Sequence, residues 1–236
     1  MRIIKSLVAL TVVITMLSCQ NQPKADVTKL ETEIDSASYA LGLDMALKVK
    51  ANFGDAKTDL FLQGYRNGMD STNMLIKEKD LGLFLRVFFQ KQQMEKQQEM
   101  AEKNYGDNKK AGEKFMAENK TRDGVITTES GLQYMVLKEG KGDKPKPTSK
   151  IKIHYHGTTI KGEVFDSSVN KGEPFESLAN IYIPGFNEGL LLMSEGAKYK
   201  FFIPQDLAYG VQQRGALILP FSALIFEVEL LEILEK

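Results

Sequence analysis

The chain has 236 residues, enough for one or two domains with cores of their own. Its 31 Lys and Arg balance 31 Asp and Glu to a formal charge of zero, which argues against a nucleic-acid partner needing a strongly basic face. An apolar fraction of 42% beside a charged fraction of 26% places it among ordinary water-soluble proteins, so fibrous and disordered classes fall away. Residues 1–18 stand apart from that average. Arg2 and Lys5 precede an apolar run from Leu7 to Leu17, and no acid occurs before Asp26. A basic start, a short apolar centre and a small residue before the cut predict a secretory signal peptide. The run is shorter than the about 20 residues of a membrane span.

The run ends in Met16-Leu17-Ser18-Cys19. This resembles a lipobox, in which Cys19 carries the lipid and becomes the first residue of the mature chain. The alternative is a spare thiol at the end of an ordinary signal. Cys19 is the only cysteine, so an internal disulfide is impossible. Residues 19–33 are polar and read as a tether.

Residues 34–52 show helical spacing, with Ala37, Ala40, Leu41 and Leu47 near one face. Residues 59–69 repeat it with Phe61, Gly64, Tyr65 and Gly68. The two glycines either admit a neighbouring helix closely or are tolerated at about 1 kcal/mol each. From Lys79 a stripe of Leu81, Phe84, Leu85, Phe88 and Phe89 follows, then a polar stretch rich in Gln, Lys and Glu over 90–103. A helix of about 25 residues here is about 38 Å long. Its first half can bury a face, and its second half is predicted to be solvated or a spacer. Asn104 to Asn108, around Gly106, mark a kink or break, and Gly124 a stop. Residues 34–125 therefore read as an all-helical dimerisation and linker domain. Its apolar faces, concentrated in residues 34–89, are too few to form a core alone. A homodimer with two-fold symmetry would bury them.

After Gly124 the periodicity changes. Residues 133–137, 151–155, 198–203 and 222–231 look like strands, and 187–193 like the one short helix among them. Strands wrapped on a single helix make residues 126–236 an α+β domain. His154 and His156, the only two histidines, share one strand face, opposite Tyr155. No further ligands complete a metal set, so a solvated strand face is expected there and no metal site.

Aromatic residues mark the candidate site. Phe165-Asp166, Pro184-Gly185-Phe186 and Ala208-Tyr209-Gly210 each lie near the end of an apolar run, beside a turn signal. That pattern predicts a concave aromatic pocket with few polar groups. Marks of nucleophilic or metal chemistry are missing, so the site works by holding and desolvating an apolar group. Taken singly, each Phe is more often a core residue; their order and joint spacing argue otherwise. VFDSS, PF, IPGF, EG, IP, LAYG and LIFEVEL in succession over residues 131–233 closely resemble the FKBP-type peptidyl-prolyl cis-trans isomerases. The helical segment in front is similar in layout to the bacterial Mip-like and FkpA-like branch.

The resemblance implies an antiparallel half-barrel curled over one short helix. It implies catalytic roles for Tyr155, Phe165, Asp166, Ile183, Phe186, Tyr209 and Phe226, with Phe175, Tyr182, Leu217 and Ile218 in substrate binding. Phe186 would be the pocket floor where the family often has Trp. Lys171 stands where many members have Arg near the Asp, and Thr148-Ser149 replace an acid common before the second strand. No cofactor is implied. The expected partners are proline-containing unfolded or exported polypeptides, a second copy of the chain, a membrane reached through the lipid on Cys19, and macrolide inhibitors. The expected location is the cell envelope, at an outer membrane and facing the periplasm. A dimeric client-binding chaperone with little isomerase activity is the competing reading; an intact set of Tyr155, Phe165, Asp166 and Tyr209 favours the enzyme.

Overall fold

A computed structural model describes residues 26–235, so the predicted signal peptide and Cys19 lie outside the described residues. The described residues divide after Lys77 into two compact units.

In the first unit, α1 (Glu33–Asn52) begins at a capping box: the Thr32 hydroxyl accepts from the Asp35 N–H at 3.1 Å, and the Asp35 carboxylate accepts from the Thr32 N–H at 2.9 Å. Two N–H groups that a helix start leaves unpaired are thus satisfied. α2 (Thr58–Asp70) ends where Ser71 turns left-handed. Neither helix contains a buried residue. Leu41 is 60% exposed and Tyr65 46%, so this unit has apolar faces without a core of its own to hide them.

The second unit opens with α3 (Glu78–Asn119), 42 residues long and kinked at Tyr105. The kink falls where Asn104–Asn108 predict it. The polar stretch over 90–103 is largely exposed apart from Ala101, as a solvated helix would be, whereas beyond the kink Gly112, Met116 and Asn119 are buried. The reason is local. After the kink, Phe115 and Met116 lie over Phe202, Ala223 and Ile225 on one face of the sheet. The helix ends at Asn119, short of Gly124, because the Asn119 amide turns inward to Gln133 Oε1 at 2.8 Å. Gln133 in turn donates to the Met116 carbonyl at 2.8 Å.

The sheet has seven strands: β1 (Val125–Thr127), β2 (Gln133–Lys138), β3 (Lys150–Thr159), β4 (Val164–Ser167), β5 (Phe175–Leu178), β6 (Lys198–Ile203) and β7 (Leu224–Glu235). All pairs are antiparallel, in the order β1-β2-β6-β7-β3-β4, with β5 also on β3. β7 alternates as its sequence predicts. Leu224, Phe226, Val228 and Leu230 are buried on one face, and Glu227 and Glu229 stand half-exposed on the other among Lys138, Lys198 and Lys200. Three strands, β1, β4 and β5, are three or four residues each, too short for alternation to register in the sequence.

Besides a single turn, α4 (Ser168–Lys171), the inner face carries α5 (Pro184–Leu192). Pro184 at the first helical position fixes its start, and Phe186, Leu190 and Met193 bury against Phe201, Ile203 and Val228. Gly189 permits the close approach: a Cβ there would stand 2.6 Å from the Phe201 ring. An antiparallel sheet curled on one helix is the α+β architecture read from the sequence.

Candidate active site

β3, β4, the start of α5 and the chain after β6 converge on a pocket of about 900 Å³ in the second unit. Its floor is Phe186, 2% exposed, with its ring centroid 5.0 Å from Phe226 and 4.6 Å from Tyr182. Phe165 meets Phe226 edge-on at 5.3 Å and forms one wall. Edge-to-face contacts of this kind hold rings in fixed orientation. Tyr209, Leu217 and Ile218 form the opposite rim, where the Arg214 guanidinium lies over the Tyr209 ring at 5.3 Å.

One polar cluster interrupts the apolar lining. The Tyr155 hydroxyl donates to Asp166 Oδ2 at 2.7 Å, and the Lys171 ammonium pairs with Asp166 Oδ1 at 2.7 Å. The Ser167 N–H reaches the same oxygen at 2.9 Å. α4 makes this possible: Ser167 caps it, Gly172 ends it in the left-handed region, and the single turn folds Lys171 back over Asp166. Burial works against the Asp166 charge, yet the Lys171 and Tyr155 hydrogen bonds and the Lys171 charge outweigh it, so its pKa lies below the ordinary carboxylate value. Burial, then the hydrogen bond to that carboxylate, push the Tyr155 phenol up to about 12. At neutral pH the pocket therefore presents a neutral phenol bound to a charged, neutralised acid.

Of the residues predicted for the site, Tyr155, Phe165, Asp166, Tyr182, Ile183, Phe186, Tyr209, Leu217, Ile218 and Phe226 all line this pocket. Phe175 does not. It sits 43% exposed on β5 and packs edge-on behind Tyr155 at 6.2 Å. Sequence reasoning misses Ile181, Gln212 and Arg214, which also line it; the polar, glycine-containing stretch between LAYG and LIFEVEL is the signal that a loop stands at the mouth. It also misses Asn187. Its side chain accepts from the Tyr182 N–H at 2.9 Å and donates to the Tyr182 carbonyl at 2.9 Å, which fixes the segment presenting Tyr182 and Ile183. The histidines are not on a freely solvated face. His154 Nδ1 lies 3.1 Å from the Ser168 hydroxyl and His156 Nδ1 lies 3.0 Å from that of Ser167, so both brace the turn beside Asp166. Among the described residues no group of three or more His, Cys, Asp or Glu could hold a metal ion.

Two family models match. Residues 34–136 match the domain amino terminal to FKBP-type peptidyl-prolyl isomerase, and residues 141–231 match FKBP-type peptidyl-prolyl cis-trans isomerase. The Outer membrane protein MIP of Legionella longbeachae is 35% identical over 208 residues, 88% of this chain and 89% of that protein. The isomerase FkpA of Aeromonas hydrophila is 35% identical over 254 residues, 97% of this chain and 93% of that one. Among solved structures, FkpA from Escherichia coli superposes with a TM-score of 0.54 at 29% identity, covering 87% of this chain and 98% of that chain.

Proposed function

The chain belongs to the FKBP-type peptidyl-prolyl cis-trans isomerases, and from that premise we propose that it catalyses X–Pro rotation by non-covalent stabilisation of the twisted amide, in the aromatic pocket between Phe165 and Tyr209. The uncatalysed barrier, near about 20 kcal/mol, is the loss of amide resonance as the bond twists. The twisted amide is less polar than the planar one, so an apolar cavity favours it over the ground state, which is what lowers a barrier. Phe165, Phe186 and Phe226 supply that cavity. Tyr209 and the Ile183 N–H hold the carbonyls flanking the proline, and Asp166, tied to Tyr155 and Lys171, gives the wall a fixed dipole. No proton moves and no covalent intermediate forms.

What carries this reading is that residues scattered over β3, β4, α5 and the loop after β6 line one concavity with an aromatic floor and an acid that is internally neutralised. The test is cis–trans exchange of a short X–Pro peptide. Phe165→Ala and Tyr209→Ala should each lower kcat/KM at least about tenfold, or about 1.4 kcal/mol, in folded protein. Undiminished rates in both would remove the pocket from the mechanism.

The biological setting follows from the same premise. The leader and Cys19 support a lipid-anchored protein of the cell envelope, and a relative named an outer membrane protein agrees. Unfolded, proline-containing exported chains are then the substrates. The exposed faces of α1 and α2 support a homodimer through residues 34–89. Macrolides that fill FKBP-type pockets are expected to compete, more weakly where Phe186 replaces a larger floor.

A further inference from the structure

The loop that roofs the pocket is a closed structure with its own foundation. After β6 the chain passes Tyr209, runs out through Arg214 and Leu217, and returns at Phe221. Arg214 and Ile218 bridge each other across it, and the Phe221 N–H donates to the Gly210 carbonyl at 2.7 Å, which pins the two ends together. Phe221 closes the base at a φ of 64°, a left-handed conformation that a bulky side chain adopts only when its surroundings hold it there. It is 2% exposed.

Those surroundings are α3, just past its kink. Asn108 Nδ2 donates to the Pro220 carbonyl at 2.7 Å and to the Ser222 hydroxyl at 3.1 Å. The Lys109 ammonium lies 5.3 Å from the centre of the Phe221 ring and is itself held by Glu102 at 3.0 Å, from the other side of the kink. At Gly112 the helix lies directly against the loop base: a Cβ there would make ordinary van der Waals contact, 3.4 Å from that of Ala223 and 3.5 Å from the Phe221 carbonyl oxygen. None of these helix residues lines the pocket, yet they grip both residues flanking the strained Phe221.

We propose that Asn108 and Lys109 are positioning residues for the isomerase. By clamping Pro220, Phe221 and Ser222, they fix the loop that carries Arg214, Leu217 and Ile218 over the pocket. The Tyr105 kink brings the helix to that clamp. A fixed roof selects among side chains neighbouring the proline and holds the peptide in the geometry that twists. The proposal rests on the pocket assignment above, but one arm of its test does not depend on activity.

Asn108→Asp, in the chain from residue 20 onward with both units intact, keeps the side chain's shape and turns the donor into an acceptor facing the Pro220 carbonyl. Amide hydrogen exchange at Phe221 should accelerate at least about tenfold relative to the amides of β6 in the same sample. The ratio of kcat/KM for Leu-Pro over Glu-Pro peptides should shift by at least about twofold. Should that variant not fold, Ser222→Ala removes one acceptor of the clamp and is read the same way. If Phe221 and β6 exchange faster by one common factor, or both peptides slow in equal proportion, the helix merely stabilises the domain and the positioning role is overturned. Faster Phe221 exchange with an unchanged peptide ratio also overturns it, since the roof is then loosened without consequence for substrate. Loss of the pocket assignment would show separately, as full activity in Phe165→Ala.

Discussion

At the scale of single residues, the Asp166 cluster sets the pH behaviour. The folded-state pKa of Asp166 is depressed, so the stabilisation it gives is present above its unfolded value and lost as pH falls through the folded one. Tyr155 is raised to about 12, so its contribution is present below the unfolded phenol value and lost as pH rises toward 12. Between these limits neither group changes charge. We expect kcat/KM to be unaffected by these two groups from about pH 5 to 9, measured by peptide exchange across that range. Asp166→Asn should bring the Tyr155 phenol back toward its ordinary value, read by ultraviolet titration of tyrosinate. The Lys171 pair itself, with side chains 60% and 42% exposed, is screened by solvent and adds little. Much of the candidate site was legible through the order and spacing of VFDSS, IPGF and LAYG rather than through alternation, since Phe165 and Asp166 lie inside the four-residue β4 and Tyr209 lies beyond the end of β6 at Ile203. Phe175 was misplaced because a residue's position on a strand says nothing of which neighbour hides it. Arg214 and Asn187 were missed because their roles depend on loop geometry that no periodicity encodes.

At the scale of elements, α3 changes role along its length. Its polar middle reads as a spacer, and before the kink it carries exposed Leu83, Phe84 and Val87. Past Tyr105 the helix packs on the rest of the second unit through only a few residues: Asn108 and Lys109 at the loop base, then Gly112, Phe115, Met116 and Asn119. These scattered contacts do not make an amphipathic stripe, so no periodicity scan separates them from a solvated helix. Met116→Ala should destabilise the second unit by about 2–5 kcal/mol. Asn119→Ala, which leaves a buried Gln133 oxygen without its donor, should cost about 1–3 kcal/mol. Urea unfolding midpoints of the two variants measure both. A fragment starting at residue 126 uncovers Phe202 and Ala223, 2% and 3% exposed when the helix is present, and should unfold at markedly lower urea than one starting at residue 101. Equal midpoints would show the helix to be a passive neighbour.

At the scale of the whole molecule, the first unit is the part that needs company. With no buried residue in α1 or α2, and Leu41, Leu47 and Tyr65 facing water, a partner surface is required for these helices to gain from their apolar faces. Sedimentation at tens of micromolar should give twice the chain mass, and Leu41→Asp with Tyr65→Asp should give a monomer that still isomerises short peptides. That variant should lose its effect on refolding proteins, which gain from two pockets held on one particle. A wild-type monomer at that concentration rules the arrangement out.

The order of strands also bears on how the molecule comes into being. β7, residues 224–235, lies between β6 and β3 and is the last of the seven in chain order. Until it arrives, β2 and β6 on one side and β3, β4 and β5 on the other have nothing to join them. A ribosome or a membrane pore releasing the chain from its first residue therefore delivers the keystone last, and the sheet cannot close while any of it is still threaded. Pairings that span more than seventy residues, such as Tyr155 with Val228, are slow to find. If the chain is exported unfolded, as proposed above, that delay keeps it open for the length of its own passage.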